Sequence, residues 1–299
     1  MSQNRKKGKR LSAGESHGHG ILFVVATPIG NLEDITLRAL RVLAEVDFIA
    51  AEDTRHTRKL LSHFDIHTPL LSYYKEKEAS RSLEIIAELL AGKSVALVSD
   101  AGTPGISDPG SILVKSAHAH NIKVVPVPGA SALASGLSVS GFAEPGHLFL
   151  GFLPSKASER RKLLRSLAGE SHTIVFYESP RRIAASLADC LAALGDRAAV
   201  VARELTKMHE EILSANLEKI LELFTARAEI KGEFVVMLTG MRAAATPPAE
   251  NLDELLAWYR DESGLSMKDA VQRLARDLSL SRSEVYQKAL SIWKKQGAE

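Results

Sequence analysis

Residues Ser99 to Gly110 read Ser-Asp-Ala-Gly-Thr-Pro-Gly-Ile-Ser-Asp-Pro-Gly and follow directly on the apolar run Val95–Val98. Glycine permits positive φ and close backbone approach, whereas proline fixes φ and removes a donor. The segment is therefore a shaped loop at the carboxyl end of a buried strand. It lies in no Gly-x-Ser-x-Gly elbow, so its serines and aspartates read as hydrogen-bonding partners of a ligand, not as nucleophiles. Two similar loops exist. Thr27-Pro28-Ile29-Gly30-Asn31-Leu32 follows the apolar run Ile21 to Ala26, and Pro126-Val127-Pro128-Gly129-Ala130-Ser131-Ala132 follows Val124-Val125. One such loop marks a tight turn as readily as a site. Three at strand ends point to a ligand cleft, because open α/β sheets bind ligands outside the carboxyl ends of their strands.

Four charged clusters also sit at strand ends: Glu52 to Arg58, Tyr177 to Arg182, Arg203 to Lys207 and Lys231 to Glu233. In the first, Asp53 or Thr54 serves equally well as a helix N-cap beside a solvated arginine face. In the second, an acid stands beside Arg181 and Arg182, and guanidinium groups suit phosphate. The clusters fall in both halves of the chain, so a cleft between two domains would collect them.

The positioning elements follow from periodicity. The first half alternates strands (Ile21–Ala26, Phe48–Ala51, Val95–Ser99, Lys123–Val127) with helices (Ile35–Val46, Ser80–Ala91, Gly110–His120, Ala130–Ser138). That alternation predicts a parallel sheet covered on both sides. In the helix Ser80–Ala91, Leu83, Ile86, Ala87 and Leu90 are expected to form the inner face. After the linker 141–146, strands are expected at His147–Phe152, Thr173–Tyr177, Ala198–Ala202, Glu211–Ser214 and Phe234–Leu238. Helices are expected at Lys156–Ala168, Pro180–Leu194 and Leu217–Ala228, with Ser179 as N-cap and Pro180 in the first turn. The closeness of Val200–Glu204 to Glu211–Ser214, with no helix between, predicts a mixed sheet. Beyond a second linker at 243–249, three amphipathic helices (Asp253–Arg260, Ser266–Leu278, Ser283–Trp293) resemble a helix-turn-helix or a small packing module. Arg282, Lys288, Lys294 and Lys295 make the last of them basic. The expected organisation is a disordered basic tail (1–20), two α/β domains (21–143 and 144–242) and a helical appendage (250–299).

The chain of 299 residues carries a formal net charge of +2, so no global basicity signals nucleic acid. The single cysteine, Cys190, excludes an intrachain disulfide and reads as a packed core thiol. No HExxH or Cys/His spacing, Walker loop or GxGxxG is present, so metal, NTPase and dinucleotide readings lose their sequence support. No apolar run is long enough to span a bilayer, and the start of the chain lacks a signal-peptide core. Cytoplasmic localisation is the expectation.

Taken together, ATPIGNLEDIT (26–36), AEDTRHT (51–57), SDAGTPGISDPG (99–110), PVPGASA (126–132), FYESPRR (176–182), RELTK (203–207) and KGEFV (231–235) resemble the ribosomal RNA small subunit methyltransferase I family of the tetrapyrrole methylase superfamily. The resemblance covers about Leu22 to Gly240. It implies two α/β domains of the tetrapyrrole methylase type with S-adenosyl-L-methionine in the interdomain cleft, a helix-turn-helix-like appendage, and a homodimer. It implies methyl transfer to the 2′-hydroxyl of a cytidine in 16S rRNA at the decoding centre of the small ribosomal subunit, with no DNA, membrane or metal involved. Relatives acting on tetrapyrroles carry a first loop richer in glycine and a GGDP pattern. Thr27-Pro28-Ile29-Gly30 and Ala101-Gly102-Thr103-Pro104 stand in those places here, which favours the RNA branch. By position, the resemblance assigns Gly102, Thr103, Pro104, Ile106, Ser107, Ser131 and Ala132 to the cofactor, Pro28, Tyr177, Leu205 and Gly232 to the rims, and Asp100 to a cofactor amine or hydroxyl.

A ribose hydroxyl is a poor nucleophile, so a base or a cation must help it. Glu178 or Asp53 is the expected base, with Arg55 or Arg181 steadying the alkoxide or gripping phosphate. Two other readings stand: a methyltransferase of the same fold acting on a tetrapyrrole or other small molecule, and a regulator that senses S-adenosylmethionine and binds nucleic acid.

Overall fold

The computed structural model describes residues 18–143, 146–241, 252–261, 265–278 and 280–294. Residues 1–17 of the expected tail, and the linker 243–249, lie outside them. The chain divides into a larger unit ending at Met241 and a smaller one beginning at Arg242.

The larger unit opens on β1 (Ile21–Val25), α1 (Leu37–Glu45), β2 (Phe48–Ala51), α2 (Thr54–His63), β3 (Leu70–Ser72), α3 (Glu78–Leu90), β4 (Val95–Val98), α4 (Ser111–Ala119), β5 (Lys123–Val127) and α5 (Ala132–Ser140). The strands form one parallel sheet in the order β3-β2-β4-β1-β5. Side chains alternate across a strand. Phe23, Ile49, Ala96 and Val98 therefore pack on α1 and α2, while Leu22, Ala50, Val95 and Leu97 pack on α3 and α4. Burial on both faces explains why these strands read as unbroken apolar runs. The edge strand β3 does not reveal itself this way, since its three residues are only half-buried. The helix that follows the Glu52 cluster, α2, likewise joins the expected four.

α3 presents a different face from the one expected. Glu78, Ser82, Ile85, Ile86 and Leu89 are buried, whereas Leu83 is 70% exposed. The polar residues are drawn inward by partners. Tyr73 Oη lies 3.2 Å from Glu78 Oε1 and 3.0 Å from Ser82 Oγ. Glu78 Oε1 also accepts from the backbone N–H groups of Gly110 and Ile112, at 2.8 and 3.3 Å. The helix start thus anchors the far end of the Ser99–Gly110 loop. Leu83→Glu should leave the melting temperature within about 2 °C of native, as an exposed substitution does. Ile86→Glu buries an unpaired charge and should lower it by at least 10 °C, a cost of several kcal/mol. Equal shifts in thermal denaturation would refute this orientation.

The unit continues with β6 (His147–Phe152), α6 (Ala157–Ser166), β7 (Thr173–Glu178), α7 (Ile183–Leu194), β8 (Ala198–Arg203), β9 (Glu211–Asn216), α8 (Leu217–Thr225) and β10 (Phe234–Leu238). The second sheet is ordered β6-β7-β10-β8-β9, with β6 parallel to β7 and the other pairs antiparallel, the mixed sheet that the sequence predicts. Residues from α6, α7 and α8 pack on one face, around Phe176, Leu187 and Phe224. Cys190 lies in this core, and burial pushes its thiol up to about 12. The other face receives α5 from the first half, together with Ile29. A Cβ on Gly136 of α5 would meet Val235 Cγ1 at 3.0 Å, so glycine sets this close approach. The two sheets therefore share a core beside the strand ends.

The smaller unit consists of α9 (Leu252–Asp261), α10 (Met267–Asp277) and α11 (Arg282–Lys294) around its own core, which includes Leu256, Leu274 and Val285. Ser266 caps α10. Ser281 caps α11, through Glu284 N at 3.2 Å. Of the basic residues expected on α11, Lys288 pairs with Asp253 at 3.2 Å; the side chain of Lys294, and Lys295, lie outside the described residues.

Candidate functional site

β4, β1 and β5 are neighbours in the first sheet, so their three Gly/Pro loops emerge side by side. They are knitted together. Thr27 and Gly102 exchange backbone hydrogen bonds at 2.9 and 3.0 Å. Thr27 Oγ1 donates to the Ser99 carbonyl at 3.3 Å, and Thr103 Oγ1 donates to the Ala130 carbonyl at 3.3 Å. Gly102 adopts φ +78°, a left-handed conformation that disfavours any side chain.

This rim faces the second sheet across a cavity of ≈ 360 Å³, within the range of small-molecule sites. Gly102, Thr103, Ile106, Ser107, Ser131 and Ala132 line it from the first half, and Tyr177 and Leu205 from the second. Ser131 caps α5, so the N-terminal end of that helix opens on the cavity, where its dipole favours an anionic group. A second cavity of ≈ 580 Å³ adjoins the first and is bordered by Pro28, Gly30, His56, Thr57, Lys59 and Asp100. Both are walled by Ile29, Ala101, Lys207 and Glu233.

Two expected cofactor residues stand elsewhere. Pro104 borders neither cavity; it faces the underside of its loop with Val114 and His118, because the chain reverses around Gly105 at φ +80°. Gly232 also lines neither. Its φ of +102° lets the backbone seat against Glu204, whose Cγ would be 2.5 Å from an added Cβ. Pro28 and Asp100 belong to the second cavity only.

The four expected catalytic residues lie at or outside the edge of the cavities. Glu178 borders the first cavity, yet its side chain is 0% exposed and turned toward α7. Ser186 Oγ donates to it at 2.6 Å, Ser179 N at 2.8 Å, and Arg182 Nη2 lies 3.2 Å away. The same turn delays α7. The Ser179 carbonyl accepts from Arg182 N and Ile183 N, both at 3.0 Å, so the helix begins at Ile183 instead of Pro180. Asp53 caps α2 and holds Arg55 in a two-pronged pair at 2.9 and 3.2 Å. Hydrogen bonds from Arg55 hold its carboxyl down to about 2. Asp53, Arg55 and the exposed Arg181 line neither cavity.

Other polar and aromatic residues border the cavities. Asp108 lines the first cavity, and burial raises its carboxyl above the usual range. Burial likewise raises the Tyr177 phenol, whose oxygen accepts from Leu133 N at 3.1 Å. Phe152 reaches the cavity where the β6–β7 register shifts after Phe149, with Gly151 at φ +63°. Such irregularities re-aim side chains beside sites. Lys207 Nζ donates to Glu204 Oε1 at 2.8 Å and Glu233 Oε2 at 2.9 Å. Burial opposes its charge, but the two carboxylates outweigh burial and keep its affinity for the proton above the ordinary lysine value. The runs Arg203–Lys207 and Lys231–Glu233 carry this signal in the sequence; their pairing does not show there. Among the described residues, no group of His, Cys, Asp and Glu is placed to hold a metal ion.

A parallel sheet and a mixed sheet meeting at a cleft of strand-end loops define the tetrapyrrole methylase class: residues 22–221 match the family model of tetrapyrrole (corrin/porphyrin) methylases. Solved structures share the fold. Uroporphyrin III C-methyl transferase from Thermus thermophilus aligns with TM-score 0.53 and 21% identity, over 74% of this chain and 97% of that one. Diphthine synthase aligns with TM-score 0.55 and 16% identity, over 74% of this chain and 90% of that one. Curated relatives are much nearer in sequence. Ribosomal RNA small subunit methyltransferase I of Synechocystis sp. is 47% identical over 91% of this chain and 98% of its own length. The Pseudomonas aeruginosa protein of the same name is 44% identical, over 91% and 97%. The chain belongs to the ribosomal RNA small subunit methyltransferase I family.

Proposed function

We propose that the chain transfers a methyl group from S-adenosylmethionine to the 2′-hydroxyl of a cytidine in 16S rRNA of the small ribosomal subunit, working as a homodimer in the cytoplasm. Family membership supports the rRNA substrate. The observation that carries the reading of the site is the pair of adjoining cavities with a common wall of Ile29, Ala101, Lys207 and Glu233. One cavity takes the donor and the other the acceptor.

The first cavity suits the donor in shape and chemistry. Ala202, Leu205 and Val235 offer an apolar surface for a flat base. Thr103, Ser107 and Ser131 supply hydroxyls, and the N-terminal end of α5 suits a carboxylate. S-adenosylmethionine, when bound, supplies an activated methyl group on a sulfonium. The protein's task is then alignment, which is worth several kcal/mol when reacting atoms are held in line. His56 and Lys59 on α2 border the second cavity, and Lys59 would meet the RNA backbone, since lysine side chains contact phosphate oxygens.

The test is transfer of labelled methyl to small subunits purified from cells lacking this protein, followed by nucleoside digestion and mass spectrometry. Label on a 2′-O-methylated cytidine is the expected result. Transfer to a corrin precursor with none to subunits overturns the RNA reading.

A further inference from the structure

The wall between the cavities holds two uncharged residues, Ile29 and Ala101, and one hydrogen-bonded ionic pair, Lys207 with Glu233. A methyl group that leaves a donor in one cavity for an acceptor in the other crosses at this wall. We propose that Glu233 and Lys207 are the catalytic pair: Glu233 accepts the proton of the acceptor hydroxyl, and the hydrogen bond from Lys207 directs that carboxylate at the oxygen. This rests on the reading of the reaction as methyl transfer to a ribose hydroxyl.

The backbone around the pair is built for it. Glu204 and Thr206 both adopt left-handed conformations, at φ +51° and +67°, although neither is glycine. Non-glycine residues hold such angles only where their surroundings over-determine them, and these cluster at functional sites. The bend buries Leu205 against the first cavity and brings Lys207 to the wall. Glu204 fixes both partners, accepting from Lys207 Nζ and from Glu233 N at 2.9 Å. The first loop closes on the lysine stem from the other side. A Cβ on Gly30 would lie 2.4 Å from Lys207 Cγ, and Asn31 N donates to Thr206 Oγ1 at 3.1 Å. The Glu233 side chain remains 80% exposed, open to a ligand.

The step balances. The hydroxyl oxygen bonds to the methyl carbon while the carbon–sulfur pair departs with sulfur and cancels the sulfonium charge. The hydroxyl proton passes to the Glu233 carboxylate, and Lys207 stays protonated throughout. Release to water resets the pair.

Glu233→Gln keeps the shape and removes the base. It should lower kcat for small-subunit methylation by about 10²- to 10⁴-fold, the usual worth of a positioned base. Calorimetric affinity for S-adenosylhomocysteine and filter-binding affinity for subunits should stay within about threefold of native. Lys207→Met should lower kcat in the same way with both affinities retained. A Glu233→Gln enzyme within threefold of native kcat overturns the pair while native methylation of subunits keeps the reaction standing. A native enzyme that methylates no subunit overturns both.

Discussion

A Gly102→Val chain binds S-adenosylhomocysteine on the order of 100-fold more weakly than the native chain and still folds. Gly102 sits at φ +78° with both backbone groups bonded to Thr27. A β-branched residue there is a genuine outlier, and backbone strain of this kind costs ~1–3 kcal/mol. Its Cβ would also lie 3.3 Å from Ile29 Cγ2, tighter than ordinary packing. Gly102 lines the first cavity, so the added side chain also intrudes on the bound ligand; at 1.4 kcal/mol per tenfold, a cost of about 3 kcal/mol confined to the bound state gives the stated loss. The sheet cores do not include Gly102, so melting should fall by only ~5–10 °C. Gly102→Ala, without branching, should fall between native and Val. Calorimetric titration of the three chains decides the matter. A valine variant with native affinity would mean that the three-loop rim does not hold the cofactor.

The same rim shows what the sequence makes legible. Gly102, Thr103, Ile106 and Ser107 announce themselves because glycine and proline in a dozen residues after a buried strand leave little choice but a shaped loop. The parallel sheet is legible too, since β4 is buried at all four positions and reads as an unbroken apolar run. What fails is whatever depends on where one side chain turns. Leu83 and Ile86 both fit a helical apolar stripe, and only the pull of Tyr73 and Gly110 on Glu78 decides which is inside. Pro104 belongs to the loop motif, yet faces away from the cavity because of a reversal at Gly105. Lys207 and Glu233 are 26 residues apart and meet because β8 and β10 are adjacent, with Arg203 paired to Phe234. No spacing rule within either run encodes that meeting.

Glu178 carries the sharpest of these reversals and the largest expected effect on stability. As an acid at a strand end beside two arginines it looks like a base. In the fold its carboxylate is enclosed by Ser179, Arg182 and Ser186. Arg182 is committed in turn, with Nη2 donating to the Leu153 carbonyl at 2.6 Å. The carboxylate thus ties the end of β7 to the start of α7 and, through Arg182, to the segment after β6. Removing one partner of a buried pair leaves the other uncompensated, which costs ~3–5 kcal/mol. Arg182 retains 28% exposure, so the lower end applies. Glu178→Gln should therefore lose about 3 kcal/mol, a fall of ~10 °C in melting temperature for a unit of this size. Below its melting range it should methylate small subunits with kcat within about threefold of native, since no proton passes through it. A base would behave in the opposite way, with melting near native and kcat reduced at least 100-fold. Thermal denaturation and single-turnover transfer on one variant thus separate a residue that braces the cavity wall from one that takes the proton, and the enclosure of Glu178 commits it to the wall.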